Sequence, residues 1–283
     1  MSKIRWRPKL SSTKDRLLVS AGIDGNINYW SPITGKLIHS IKADKKRSDL
    51  FCIDYTRDSA KLAAAGRRRC IKIFDDEKQV LSSKLRNKGQ VVNPGHSNRI
   101  FALRFDEAGK QIVSASWDMT VKVWDINSGT VARSIYGPEI SGDALDIHGD
   151  VVITGSHRSK EALQLWSLSY GKLIDTIEWD PEKPNDSSQL LSAQFEKSGN
   201  RFIVACGSGR NEARVFEKRM DKSYAFSCGI VDLPSACSSV DFSSKENLIA
   251  VGSCDGICRL FEKIEKGKRE DFITADHNRF NQS

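Results

Sequence analysis

A histidine, a serine and an aspartate stand close together in this chain, at His96, Ser114 and Asp118. In hydrogen-bond order these three residue types activate a serine nucleophile: the imidazole takes the hydroxyl proton and the carboxylate orients the imidazole. Such a relay works only on rigid elements, so the surrounding segment decides what the three residues do. From Gly95 to Asp125 it reads GHSNRIFALRFDEAGKQIVSASWDMTVKVWD. Ile100–Phe105, Gln111–Ser116 and Thr120–Trp124 each mix β-branched or aromatic residues with small or polar ones, and turn residues bound each run. The segment therefore predicts three short strands, opened by a Gly-His pair and closed by a Trp-Asp pair.

The same unit recurs. An aromatic closes a third strand at Trp30, Phe74, Trp124, Trp166, Phe216 and Phe261, at spacings of 44, 50, 42, 50 and 45 residues. Each follows a strand of small residues: LLVSAG (17–22), LAAAG (62–66), IVSAS (112–116), VVITGS (151–156), FIVACGS (202–208) and LIAVGS (248–253). First strands are predicted at Lys3–Arg7, Phe51–Tyr55, Phe101–Phe105, Ala144–Ile147, Leu191–Phe195 and Ser238–Phe242. Fourth strands fit Lys36–Ile41, Thr130–Ile135 and Lys172–Ile177. Regular strands with no helical pattern between them predict an all-β repeat architecture.

On the Gly-His opening, the Trp-Asp close and this recurrence, the chain resembles the WD-repeat (WD40) β-propeller family over about residues 3 to 262. The resemblance implies four-stranded antiparallel blades, six of them visible. Only the third carries the full motif; the others end in Trp-Ser, Phe-Asp or Phe-Glu and lack a Gly-His opening. It also implies that His96, Ser114, Asp118 and Trp124 form a structural hydrogen-bond tetrad, in which the donor-only indole and the acceptor-only carboxylate sit at opposite ends. That reading displaces the hydrolase one. Six blades fall short of the seven commonest in the family. The ring is expected to close with six blades; the alternative is an open ring whose gap a partner fills, since free strand edges invite strand addition. Residues 1–262 are thus expected to form the propeller, with blades ending near 30, 74, 124, 166, 216 and 261, and 263–283 a basic tail with room for one closing strand before a disordered end.

Composition bounds the function. With 39% apolar residues the chain can build a sizeable core, and no apolar run reaches the roughly 18 residues of a membrane span. The start, MSKIRWRPKL, lacks the apolar core of a secretory signal. Seven cysteines at irregular spacing predict free thiols in a reducing, cytoplasmic compartment, with the nucleus, cytoskeleton or cilium as alternatives. Cys254 and Cys258 flank an Asp-Gly turn, but without a second pair they predict no zinc site. Neither a phosphate loop, HExxH, GxSxG nor a glycine dinucleotide fingerprint occurs, so no cofactor, metal, small-molecule substrate or enzymatic activity is expected.

The net charge is +8, from 44 basic against 36 acidic residues, and it concentrates at Lys42–Arg47, Arg67–Arg69, Lys84–Lys88 and Lys263–Arg269. Solvated loops account for such runs; attraction to an acidic partner is the sharper reading. In the family the face bearing the second-to-third-strand turns and the first-strand starts is the common docking surface. Mapped here, it implies a partner site built from Phe51, Arg67, Arg68, Arg69, Phe101, Trp117, His157, Arg158 and Arg210. The function implied is a rigid, non-enzymatic eukaryotic scaffold for protein partners, acidic ones included, within a larger assembly. The alternatives are a nucleic-acid-binding subunit of a ribonucleoprotein or chromatin complex, and a cytoskeletal or ciliary structural component.

Overall fold

A computed structural model describes residues 2–8, 16–43, 48–86, 94–180, 188–243 and 248–262. The basic residues 44–47, 87–88 and 263–269, and the tail expected over 263–283, lie outside the described residues. Every described element is a strand, and the strands form six antiparallel sheets. Blade 1 holds β1 (Lys3–Trp6), β2 (Leu18–Ala21), β3 (Asn26–Trp30) and β4 (Leu37–Lys42). Blade 2 holds β5 (Leu50–Tyr55), β6 (Lys61–Gly66), β7 (Ile71–Asp75) and β8 (Val80–Leu85). In blade 3, β9 (Ile100–Phe105), β10 (Gln111–Ser116), β11 (Thr120–Asp125) and β12 (Thr130–Tyr136) follow. Blade 4 comprises β13 (Leu145–His148), β14 (Val151–Gly155), β15 (Leu163–Ser167) and β16 (Leu173–Ile177). Blade 5 comprises β17 (Gln189–Phe195), β18 (Phe202–Ser208), β19 (Ala213–Lys218) and β20 (Tyr224–Ile230). Blade 6 shows three strands among the described residues, β21 (Cys237–Phe242), β22 (Leu248–Ser253) and β23 (Cys258–Glu262).

The blades are a six-bladed β-propeller, each sheet packed face to face on the next. Small residues in the second strands let the sheets approach closely: Ala63, Ala65, Val113 and Ala115 are all buried. Within blade 2, Gly66 lets β6 close on the start of β5: a Cβ there would lie 2.1 Å from the Asp49 carbonyl oxygen. Blades 1 and 2 share a core around Ile27, Tyr29, Ile53 and Phe74. Blades 2 and 3 share one around Ile73, Leu103 and Trp124. A larger core runs through blades 3, 4 and 5, and a fourth joins 5 to 6.

Polar residues line the axis where the first strands converge. Each first strand carries one polar residue between apolar neighbours: Arg5, Asp54, Arg104, Asp146, Gln194 and Asp241. Arg5 pairs with Asp54 at 3.6 Å, and Arg104 with Asp146 at 3.2 Å. The two aspartates also accept backbone N–H groups from the following blade, Asp54 from Phe105 at 2.9 Å and Asp146 from Phe195 at 3.0 Å. At the top of blade 4, Asp143 accepts from Arg5 at 2.9 Å and from Arg104 at 3.1 Å, and also pairs with Lys3. Burial alone raises a carboxyl, but Arg104, Arg5 and Lys3 outweigh it and hold Asp143 well below the usual range. Burial in the same cluster pulls the Lys3 ammonium down to about 8.

No core joins blade 6 to blade 1 among the described residues. The faces at that junction are partly exposed. Trp6 on blade 1 is 58% exposed, whereas Phe105 at the matching place in blade 3 is 7% exposed. Leu260 on blade 6 is 40% exposed against 1% for Ile73, its counterpart in blade 2. At the axis β1 is tied to Asp143 of blade 4 and to Asp54 of blade 2.

Asp143→Ala leaves three buried cations without their shared carboxylate. It is expected to lower the urea-unfolding free energy by about 3–5 kcal/mol, with the slope against urea unchanged if the ring still unfolds as one unit.

Candidate functional site: an aromatic and arginine surface on blades 2 and 3

The turn between β10 and β11 presents the site, and a buried relay holds that turn. The Trp124 indole N–H donates to the Ser114 oxygen at 2.8 Å, and Ser114 meets His96 Nε2 at 2.8 Å. His96 Nδ1 lies 2.8 Å from an Asp118 carboxylate oxygen. A carboxylate only accepts, so Nδ1 carries the proton, Nε2 accepts from the serine hydroxyl, and every member is satisfied. The order matches a nucleophile–base–carboxylate relay. Ser114 is fully buried, however, and its oxygen is already taken by Trp124, so no substrate reaches it. Asp118 also accepts from the Ser97 backbone N–H and from Thr120, which pins both ends of the turn.

Burial lowers the His96 pKa below its ordinary 6.5, against the opposing pull of Asp118. Asp118, although burial alone would raise it, is pushed far down by His96 and by Thr120 and Ser97.

Around this turn lies an aromatic ladder. Phe51 at the start of β5 stacks on Phe101 at the start of β9, with ring centroids 5.0 Å apart and planes 5° from parallel. Trp117 follows, tilted against Phe101 at 4.9 Å, and is 40% exposed. The Arg99 guanidinium lies over its ring at 5.9 Å. Arg69 donates to the Ser97 carbonyl at 3.2 Å, and Arg67 pairs loosely with Asp49 at 3.5 Å. Arg69 has a positive φ of 55°, at the turn position that Gly25 and Gly256 fill in blades 1 and 6. Arg68 is exposed beside it.

The structure brings together Phe51, Phe101, Trp117 and Arg69, with Arg67 and Arg68 on the adjoining turn. The remaining candidates stand elsewhere. His157 and Arg158 follow β14 in blade 4, where Arg158 donates to Ser156 at 3.1 Å. Arg210 in blade 5 is held by Asp180 at 2.9 Å and Glu212 at 3.3 Å, beside a buried Arg214 that Trp179 and Phe226 flank. Its charge is spent on an internal cluster, so it is a poor docking group. Arg99 and the axial cluster were missed by sequence reasoning. Arg99 carried no signal, whereas the axial residues repeat once per first strand.

Among the described residues no helix is long and apolar enough to cross a membrane, and no group of three or more metal-ligating side chains is gathered.

The WD domain, G-beta repeat model matches residues 88–125 and 231–262. Autophagy-related protein 16 from Arabidopsis thaliana is 26% identical over 258 residues, covering 88% of this chain and 46% of that protein. Target of rapamycin complex subunit wat1 from Schizosaccharomyces pombe is 32% identical over 204 residues, 72% of this chain and 59% of its own length. The U3 small nucleolar RNA-associated protein 21 homolog from the same yeast is 29% identical over 57% of this chain and 17% of itself. The chain thus spans 59% or less of the length of each of these relatives. A chain in the crystal structure of a mitotic checkpoint complex superposes with a TM-score of 0.73 at 14% identity, covering 88% of this chain and 74% of that one; it shows the shared fold.

His96 binds fewer protons in the folded chain than in the unfolded one, because its folded pKa is the lower. Its stabilising contribution is therefore complete above pH 6.5 and declines as the pH falls from there toward the folded pKa. His96→Gln is expected to cost about 1–3 kcal/mol at pH 7 and to flatten the loss of stability below that pH, read by urea unfolding at several pH values.

Proposed function

We propose that this chain, which belongs to the WD-repeat β-propeller family, is a non-enzymatic scaffold that presents a preformed surface to protein partners. The observation that carries the reading is the Phe51–Phe101–Trp117 ladder with Arg99, Arg67 and Arg68 around it. An aromatic ring left 40% exposed and flanked by guanidinium groups has the composition of a binding hot spot. The relay beneath it holds the turn before any partner arrives, so binding requires little reshaping. The partner that fits is a peptide or loop with an apolar side chain for the ladder and acidic residues for the arginines.

One relative supports the assembly role: it is named a target of rapamycin complex subunit. An intracellular, cytoplasmic location is the corresponding proposal, with the nucleus or a cytoskeletal or ciliary site as alternatives. A second reading, nucleic-acid binding, draws on the exposed Arg67–Arg69 turn and on the relative named for U3 small nucleolar RNA association. Its signature is a steep fall in affinity with added salt for RNA or DNA but not for a protein partner.

The test combines Trp117→Ala with Arg68→Glu and measures recovery of partners from the native source by affinity purification and mass spectrometry. The double variant is expected to lose the specific partners while its melting temperature stays within a few degrees of the parent. A large drop in melting temperature with partners retained overturns the proposal and makes Trp117 a packing residue.

A further inference from the structure

The second-to-third-strand turns of blades 1, 3 and 6 share one scheme, and blade 2 reverses it. In those three, an aspartate in the turn accepts the backbone N–H two residues on: Asp24 from Asn26 at 3.2 Å, Asp118 from Thr120 at 3.1 Å and Asp255 from Ile257 at 3.0 Å. Each stands at one register position, the sixth residue after the one paired with the closing aromatic (Leu18 with Trp30, Ile112 with Trp124, Ile249 with Phe261). In blade 2, where Leu62 pairs with Phe74, that position is Arg68, with Arg67 and Arg69 on either side. A carboxylate is thus exchanged for a run of three exposed arginines. We propose that this turn and Arg99 form a phosphate site, which takes a phosphoserine or phosphothreonine side chain of a partner polypeptide while a nearby apolar side chain of the same segment rests on Trp117. The inference rests on the scaffold reading and deepens it.

Contacts close a loop around the aromatic ladder. The Arg67 backbone N–H donates to the Asp49 carbonyl at 3.0 Å, two residues before Phe51. Phe51, Phe101 and Trp117 stack in turn. The Trp117 N–H donates to the Arg99 carbonyl at 3.4 Å, and the Arg99 guanidinium lies over the indole. Arg69 reaches the Ser97 carbonyl, two residues before Arg99, and so returns the loop to the blade 2 turn. Four arginines therefore border one set of rings. Two carboxylates stand among them, Asp49 and Asp118, which leaves positive charge in excess. Asp49 meets Arg67 only at 3.5 Å, and Asp118 is already committed to His96, Ser97 and Thr120.

The number and placement of these cations select the ligand. A carboxylate is satisfied by one guanidinium in a bidentate pair. A phosphate monoester carries about −1.5 to −2 charges and three acceptor oxygens, so it engages several guanidinium groups at once. Nucleic acid would also answer the charge, but its successive phosphates need a basic track. The run of arginines does not continue into the flanking turns, which hold Ile23 and Asp24 in blade 1 and a mixture of Arg158, Lys160 and Glu161 in blade 4. In blade 5 Arg210 is held by Asp180 and Glu212, and in blade 6 Arg259 pairs with Asp255 at 2.8 Å. The excess is focal, which suits one dianion beside an apolar contact.

In the test, the full chain is treated with phosphatase, immobilised and offered degenerate peptide pools. Their central residue is phosphoserine or phosphothreonine, serine or threonine, or glutamate. Retention of the phosphorylated pool at least about tenfold above the other two is expected, with aliphatic or aromatic residues enriched close to the phosphate. Arg67→Glu with Arg68→Glu is expected to abolish that preference while the melting temperature stays within a few degrees of the parent. Arg67→Lys with Arg68→Lys is expected to keep only part of it, because an ammonium group cannot pair bidentately. Equal retention of the glutamate pool, a preference that survives the glutamate pair, or tighter retention of an oligouridylate RNA overturns the proposal. A gain in retention brought by the phosphatase step also overturns it, by placing a phosphate of the chain itself in the site. A missing phosphate preference while partners are still recovered through Trp117 overturns this inference and leaves the scaffold reading standing.

Discussion

The alternating charges on the axis are the constraint from which the rest of the ring follows. Arg5, Asp54, Arg104 and Asp146 occupy the same place in successive first strands and alternate in sign, so each blade carries the partner of its neighbour. These groups are largely removed from water, and an unpaired member is costly. Pairing therefore helps to set the rotation of blades 1 to 4 about the axis, alongside the apolar cores between them. Asp143 extends the network by gathering cations from blades 1 and 3 onto blade 4.

The relay in blade 3 belongs to the same logic of satisfied burial, on a smaller scale. Trp124, Ser114, His96 and Asp118 leave no polar atom without a partner, and the chain ends on a carboxylate that also caps the Ser97 N–H. The turn carrying Trp117 is held from both sides by these bonds, so an exposed indole projects from rigid backbone. Blades 1 and 4 keep only the inner half of the relay: Trp30 donates to Ser20 at 2.8 Å and Trp166 to Thr154 at 2.9 Å. Those bonds tie the third strand to the second and do not reach the turns, which accounts for why the best-defined surface lies on blade 3.

The inner three strands of each blade were legible because burial on two faces imposes small or β-branched residues and turns punctuate them. The fourth strands of blades 2 and 5 were not, because Val80–Leu85 and Tyr224–Ile230 lie at the outer rim, where partial exposure imposes no pattern. Trp117, Phe51 and Phe101 were placed on one face by the repeat, yet their stacking depends on two adjacent blades presenting the same first-strand position. Arg210 was read as a loop cation because its partners, Asp180 and Glu212, reveal nothing in sequence of their approach. The axial residues were legible in principle: Ile-Arg-Trp, Ile-Asp-Tyr, Leu-Arg-Phe and Leu-Asp-Ile repeat a charged residue between apolar ones, a pattern visible only once the first strands are superposed.

Counting repeats predicted six blades but not whether they meet, because closure is decided by faces rather than by number. A propeller blade needs both faces covered, and the side chains of Trp6 and Leu260 differ from Phe105 and Ile73 in surroundings, not in kind. Sequence therefore writes both as core. The ladder on blades 2 and 3 is small, rigid and cation-rimmed, suited to a partner that comes and goes.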